Sequence, residues 1–249
     1  MIRVLRPLPI ESLKLLVFDL DGTLIDSAQD LCNSVNATLR QFGRDPLADE
    51  VVASYIGNGA LTLVRRAFEG KGAPMDEAFL AQAYAFFLDY YREHKLDYTY
   101  AYEGVLQALD ALHKVHDQVD APARTMAVLT NKPVRPAQAI CEALGLAPYF
   151  LSIYGGNSFS TKKPDPEGLL AIMKEAGVRP EETLMIGDSQ VDVLTARNAG
   201  AWCIGCTFGL APGSLEEVPP DVLVDSPGDW TAALSPAKID LGQAYEPAP

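Results

Sequence analysis

Short apolar runs that end in polar residues recur along the chain, and this pattern restricts the possible folds more than any other feature. They are LLVFDL (15–20), TMAVLTN (125–131), LSIYGG (151–156), TLMIGD (183–188), AWCIGC (201–206) and the weaker DVLVD (221–225). Continuous runs of this length are typical of parallel strands, whose two faces are both covered. Helical periodicity lies between them, at 134–145, 165–177 and 190–200. The alternation predicts an α/β fold with a mostly parallel sheet and helices on both of its faces.

A helical segment interrupts the alternation directly after the first predicted strand. Residues 26–98 show helical periodicity in three stretches, separated by glycine and proline at 43–46 and 70–74. The sequence therefore predicts two domains, an α/β core of residues 1–24 and 99–249 and a helical cap of residues 25–98. We expect the cap to act as a lid, with hinges near 24–27 and 98–103.

Charge and composition exclude several classes of function. The 249 residues carry a net charge of −13 with a pI near 4.6, which disfavours nucleic acid and anionic membranes as partners. The chain has no 18-residue apolar run and no secretory-type leader, so we expect a cytoplasmic protein, monomeric or homodimeric. Cys203 and Cys206 form a C-x-x-C pair, but they lie in an apolar run and are predicted to be strand residues that face opposite sides.

Carboxylates collect where the predicted strands end. Asp19 and Asp21 are two positions apart on an extended segment, so their side chains share a face and repel each other. Asp188 and Asp192 in GDSQVD follow another strand and belong to the same sheet edge. Oxygen ligands of this kind are the ones that Mg²⁺ prefers. Each aspartate alone is also ordinary turn chemistry, and only the combination predicts a metal site.

The same edge has the groups that phosphoryl transfer requires. An aspartate such as Asp19 can attack phosphorus, and Asp21 can protonate the leaving alcohol and then activate water. Thr130 and Asn131 in LTNK offer a hydroxyl and an amide to phosphoryl oxygens. The TKKPDP stretch supplies Lys162 and Lys163. A lysine near the nucleophile would screen the negative charge of the aspartate and bind phosphate.

The ordered set DLDGTLIDS, LTNK, KKPDP and GDSQVD resembles the four motifs of the haloacid dehalogenase superfamily of phosphohydrolases. The resemblance implies a Rossmann-like core with an inserted helical cap, and a small phosphorylated substrate. It also implies catalytic roles for Asp19 as nucleophile, Asp21 as general acid and base, Thr130 and Lys163. The resemblance further implies that Thr130, Asn131 and Lys163 bind the phosphate. It implies that Mg²⁺ is bound by the carboxylates of Asp19 and Asp188 and by the backbone carbonyl of Asp21, with Asp192 beside them.

Within that superfamily the chain is similar to bacterial phosphoglycolate phosphatases, through YIGNGALTLVRRAF (55–68) and GGNSFSTKKPDPEGLL (155–170). This similarity implies hydrolysis of 2-phosphoglycolate through an aspartyl-phosphate. The open alternatives are a β-phosphoglucomutase-like phosphosugar mutase, a phosphatase for another small ester or pyrophosphate, a dehalogenase, and a non-catalytic binding protein. Because glycolate carries a carboxylate, we expect a cap cation to contact it, with the candidates Arg65, Arg66, Arg92 and Lys95.

Overall fold

The computed structural model describes residues 1–70, 76–114 and 124–235. Seven strands form one sheet in the order β1-β9-β8-β7-β2-β5-β6, and β3 pairs with β4 in a separate ribbon. The strands are β1 (Ile2–Val4), β2 (Leu15–Phe18), β3 (Ile25–Asp26), β4 (Tyr100–Ala101), β5 (Thr125–Leu129), β6 (Ile153–Tyr154), β7 (Thr183–Gly187), β8 (Trp202–Cys206) and β9 (Val222–Val224). Every pairing in the large sheet is parallel except that of β1 with β9.

Ten α-helices accompany the strands in the described residues. They are α1 (Ala28–Gln41), α2 (Asp49–Ala53), α3 (Ala60–Glu69), α4 (Glu77–His94), α5 (Val105–Lys114), α6 (Val134–Ala143), α7 (Glu167–Ala176), α8 (Gln190–Ala199), α9 (Ser214–Glu217) and α10 (Gly228–Ala233). None of the helices in the described ranges is long and apolar enough to cross a membrane.

The central strand β2 is buried on both faces, which explains its continuous apolar sequence. Leu16 and Phe18 belong to a core cluster that includes residues of α5, α6 and α10. Leu15 and Val17 point the other way, into a cluster that includes residues of α7 and α8. All four side chains are fully buried. The sheet is therefore covered by helices on both sides, and the predicted α/β fold class is confirmed.

All six predicted strands are present, although most are shorter than the apolar runs. The run 151–156, for example, is reduced to β6. Cys203 and Cys206 lie in β8 as buried free thiols, in agreement with the prediction that they are strand residues. The sequence reading missed β1, the β3–β4 ribbon and α5, and α5 includes residues 113 and 114 of the predicted loop 113–125. The rest of that loop before Arg124, residues 71–74 of the predicted break and the predicted frayed end 241–249 lie outside the described residues.

Helices α1 to α4 follow β3 and precede β4, and they have a hydrophobic cluster of their own, centred on residues such as Val35, Leu63 and Phe87. The segment leaves and rejoins the core through the ribbon, where Ile25 pairs with Ala101. The stretch predicted as one helix over 50–70 is divided into α2 and α3. The loop 54–59 separates them because Gly57 and Gly59 have φ angles of 108° and 87°, which a helix cannot contain.

Candidate active site

Three neighbouring strands bring the predicted site residues to one edge of the sheet. Strand β2 pairs in parallel with both β5 and β7, so the carboxyl ends of all three lie side by side. Asp19 follows β2, Thr130 follows β5 and Asp188 follows β7. All three side chains are buried. Parallel pairing thus gathers residues that are up to 169 positions apart in the chain (188 − 19).

A group of buried carboxylates surrounds Lys163. Ligand atoms of Asp19, Asp188 and Asp192 lie within 4.8 Å of one another. The Lys163 ammonium is 2.9 Å from Oδ1 of Asp19 and 2.6 Å from Oδ1 of Asp192. Three carboxylates therefore face one ammonium, which leaves a negative charge that a divalent cation would offset.

The carboxyl pKa values reflect this crowding. Burial raises the pKa of Asp19 to about 6, although the Lys163 ammonium opposes the shift. Burial also raises the pKa of Asp188 well above its usual range, and the charges of Asp192 and Asp19 add to the effect. A bound cation would favour the ionised form of both groups. The donor set is thus chemically suited to Mg²⁺.

The loop after β8 holds Asp188 in position. Oδ2 of Asp188 accepts hydrogen bonds from the backbone N–H groups of Leu210 (2.7 Å) and Ala211 (3.1 Å). A Cβ atom at Gly209 would lie 2.3 Å from the carbonyl oxygen of Gly22 and 2.3 Å from Cβ of Asp188. The close approach of these backbones therefore requires glycine at position 209. The sequence analysis did not connect this loop with the site.

Asp192 is fully buried and has hydrogen-bond partners on both carboxylate oxygens. Oδ1 accepts from Lys163, while Oδ2 accepts from the N–H (3.2 Å) and the hydroxyl (2.8 Å) of Ser189, at the start of α8. Its carboxylate thus both caps a helix and holds a lysine.

Asp21 contacts two residues that the sequence reading did not assign to the site. Its Oδ1 accepts from the Ser27 hydroxyl at 2.5 Å, and the Lys132 ammonium donates to Oδ1 at 2.8 Å and Oδ2 at 3.0 Å. Burial alone would lower the pKa of Lys132, but the Asp21 carboxylate outweighs it and raises that pKa. Lys132 directly follows Asn131 in LTNK, and this position next to a predicted site residue could have indicated that Lys132 belongs to the site.

Asn131 and Lys162 connect the core with the loop 54–59, and Thr130 lies next to Asn131 at the end of β5. The Thr130 hydroxyl accepts from the N–H of Lys132 at 3.2 Å. The Asn131 amide donates to the carbonyls of Gly57 (3.0 Å) and Lys163 (3.1 Å). Its Oδ1 is buried without a hydrogen-bond partner in the described structure, so it can accept one from a ligand. Lys162 points away from the carboxylates and donates to the carbonyl of Asn58 at 2.7 Å.

A cavity lies between the sheet edge and the helical segment, and some of the residues described above line it. The cavity has a volume of about 40 Å³. One side, which we call the core wall, consists of Asp19, Asp21, Thr130, Asn131, Lys132 and Pro133. The other, the cap wall, consists of Leu31, Ile56, Gly57, Gly59, Ala60, Leu63, Phe87, Leu88 and Tyr91.

The expected cap cations do not line this cavity. Arg65 is paired with Glu77 at 2.9 Å, Arg92 is paired with Asp89 at 2.9 Å, and Lys95 donates to the carbonyl of Arg92. Arg66 donates to the carbonyl of Tyr55. Their helices turn these four side chains elsewhere, and in the described structure the cation on the lining is Lys132 of the core wall. The expectation that a cap cation meets the substrate is therefore not supported.

Three comparisons with known proteins agree on the family to which this chain is similar. The sequence model of the haloacid dehalogenase-like hydrolases matches residues 16–206. The phosphoglycolate phosphatase of Pseudomonas putida is 41% identical over 216 residues, which cover 85% of this chain and 76% of that protein. The phosphoglycolate phosphatase of Agrobacterium fabrum is 36% identical over 230 residues, covering 92% of this chain and 96% of that protein. A crystal structure described as a predicted phosphoglycolate phosphatase from Haemophilus somnus aligns with a TM-score of 0.81 at 30% identity, over 90% of this chain and 99% of that one.

Proposed function

Because the chain belongs to the haloacid dehalogenase-like hydrolases, we propose that it is a Mg²⁺-dependent phosphatase of small phosphomonoesters, with 2-phosphoglycolate as its substrate. The observation that carries the proposal is the pairing of two aspartates with two buried lysines. Asp19 contacts Lys163, and Asp21 contacts Lys132. The relatives named phosphoglycolate phosphatase favour this ester over others.

Asp19 is the proposed nucleophile and Asp21 the proposed proton carrier. A carboxylate oxygen of Asp19 bonds to phosphorus as the ester P–O bond breaks, and Asp21 gives its proton to the departing glycolate oxygen. Asp21 then takes a proton from water as that water attacks phosphorus. The bond to Asp19 breaks, and inorganic phosphate and the free carboxylate are restored. The Thr130 hydroxyl, the Lys163 ammonium and the backbone N–H of Asn131 are the proposed donors to the phosphoryl oxygens, since the Asn131 side-chain amide already donates to the carbonyls of Gly57 and Lys163.

The residues proposed to hold Mg²⁺ are the carboxylates of Asp19 and Asp188 and the backbone carbonyl of Asp21. The ion, when bound, neutralises charge on the phosphoryl oxygens. Asp192 acts on the site through Lys163, whose ammonium it holds at 2.6 Å beside Asp19. Burial of Asp188 and its two N–H partners keep its carboxylate in one orientation.

The proposed domain division is a core of residues 1–24 and 99–249 and a cap of residues 25–98. The separate hydrophobic cluster of α1 to α4 and the two-strand β3–β4 connection support it. The cap wall is apolar apart from its backbone and the Tyr91 hydroxyl, so the cap would exclude water during phosphoryl transfer.

The test is phosphate release from a panel of esters, measured with Mg²⁺ and after chelation. We expect the highest kcat/KM for 2-phosphoglycolate and no turnover without a divalent ion. Selective activity on sugar or nucleoside phosphates would contradict the proposed substrate. Isomerised sugar phosphate without free phosphate would show a mutase instead.

A further inference from the structure

Lys132 is a buried lysine that the proposed reaction steps do not use. Lys132 is 5% exposed, and its ammonium contacts both carboxylate oxygens of Asp21. We propose that Lys132 is a positioning residue for Asp21 and that Tyr91 holds it in place from the cap. This inference rests on the proposed function, because it assumes that Asp21 carries protons during turnover.

The contacts of Asp21 fix the direction in which its carboxylate points. Oδ1 accepts two hydrogen bonds, from Ser27 and from Lys132, whereas Oδ2 accepts one, from Lys132. Rotation of the carboxylate would break all three contacts. Oδ2 therefore has the freer lone pair, and it is the oxygen that we assign to proton transfer. A general acid has to be held within hydrogen-bond reach of the leaving oxygen, so this restriction favours turnover.

Tyr91 supports the same lysine from the opposite wall of the cavity. Its ring centroid lies 4.9 Å from the Lys132 ammonium, within the range of a cation–π contact. The ring is 2% exposed and is stacked at 5.7 Å on Phe87, in the hydrophobic cluster of the helical segment. Burial raises the pKa of Tyr91 to about 12, so the ring faces the ammonium as a neutral phenol.

The chain of contacts from Phe87 through Tyr91 and Lys132 to Asp21 crosses from the cap to the core. Lys132 has its full set of contacts only when α4 holds Tyr91 over the sheet edge. The order of the Asp21 carboxylate thus depends on the position of the cap. Asp19 and Asp188 have no such partner on α4 among the contacts of the described residues, so the dependence concerns proton transfer rather than nucleophilic attack.

Substrates with different leaving groups separate these two steps. An alkyl ester such as 2-phosphoglycolate needs a proton on its leaving oxygen, whereas p-nitrophenyl phosphate releases a stable anion. For Lys132→Met we expect kcat on the alkyl ester to fall about 100-fold with little change in KM. The first turnover of p-nitrophenyl phosphate should stay fast and give a burst of nitrophenolate, because only the later attack by water is slowed. Lys174→Met, which removes an exposed lysine of α7, is the control and should change neither rate.

Two further variants test the charge and the ring. Lys132→Arg retains a cation that can contact both Asp21 oxygens, so we expect it to recover part of the lost kcat. Tyr91→Leu leaves every charge in place and should lower kcat severalfold with the same burst. Tyr90→Leu is its control, since Tyr90 is on the same helix and stacks on Phe86 and His94 away from the cavity. If Lys132→Met does not fold, Tyr91→Leu still tests the proposal. Unchanged kinetics in Tyr91→Leu would show that the cap does not contribute to the position of Lys132.

Three results would overturn the role of Lys132. Equal losses in the nitrophenolate burst and in alkyl ester turnover would assign Lys132 to phosphate binding or to general folding. A higher KM for carboxylate-bearing esters with unchanged kcat would make it a substrate contact. Unchanged kcat in Lys132→Met would remove it from the mechanism. A wild-type chain without activity on any ester would instead defeat the proposed function, and this role with it.

Discussion

The two walls of the active-site cavity differ sharply in chemistry. The core wall has the carboxylates of Asp19 and Asp21, the ammonium of Lys132 and two neutral polar side chains. The cap wall has aliphatic and aromatic side chains, with polar groups confined to its backbone and the Tyr91 hydroxyl. The strand ends fix the core wall, whereas packed helices and a glycine-containing loop form the cap wall.

This difference separates two tasks that one cavity has to perform. In the proposed mechanism, charged groups at the strand ends act on phosphorus and on protons, and short ion pairs hold these groups in a buried setting. The proposed task of the apolar groups on the cap wall is to exclude water and to set the size of the space. Changes to the core wall should therefore lower kcat by orders of magnitude. Changes to the cap wall should alter KM and substrate choice, except at Tyr91, whose contact with Lys132 affects kcat.

The largest expected effect comes from Asp19→Asn on the core wall. The amide has nearly the same shape but cannot attack phosphorus, so kcat should fall about ten-thousandfold or more. Steady-state kinetics and acid-quench detection of the aspartyl-phosphate measure this loss. A thermal unfolding curve serves as the folding control. Turnover near the wild-type rate would rule out Asp19 as the nucleophile.

The next effect concerns the proposed metal site beside Asp19. Chelation should abolish turnover, and added Mg²⁺ should restore it. Asp188→Asn should raise the Mg²⁺ concentration for half-maximal activity about 100-fold, because it removes a charged ligand. Titration calorimetry with Mg²⁺ gives the same comparison without turnover. Asp225→Asn, which changes a more exposed core carboxylate, is the matched control. Full activity in the chelator would exclude the metal.

The core wall was largely predictable from the sequence, and the cap wall was not. Asp19, Asp21 and Thr130 were expected together because parallel strands end at one edge of a sheet, whereas Lys132 was not assigned to the site. The stretch AFFLDYYREH (85–94), by contrast, offers several aromatic side chains, and only the packing of α4 turns Tyr91 toward Lys132. For the same reason the sequence could not indicate that none of the four candidate cap cations lies on the cap wall. Strands β1, β3 and β4 have two or three residues each, which is too short for a recognisable period.

A mutation on the cap wall should have a moderate effect. Ala60→Leu at the start of α3 adds three carbon atoms to a cavity with little free space, so KM for the best ester should rise about tenfold. The value of kcat should change little, since no charged group moves. Ala85→Leu makes the same change at an exposed position of α4 and should leave KM unaltered. A large fall in kcat with constant KM would contradict the division of tasks between the walls.

The smallest expected effect comes from a contact that joins the two regions outside the cavity. Lys162 donates to the carbonyl of Asn58 at 2.7 Å and thereby ties the core to the loop that contains Gly57 and Gly59. A single hydrogen bond of this kind contributes about 0.5–1.5 kcal/mol, so Lys162→Met should raise KM by about threefold. Lys95→Met removes a comparable bond, 2.8 Å to the carbonyl of Arg92, that stays within the cap, and KM should not change. If both variants raise KM equally, the effect arises from surface charge. If only Lys162→Met raises KM, the contact between core and cap contributes to substrate binding although Lys162 belongs to neither wall of the cavity.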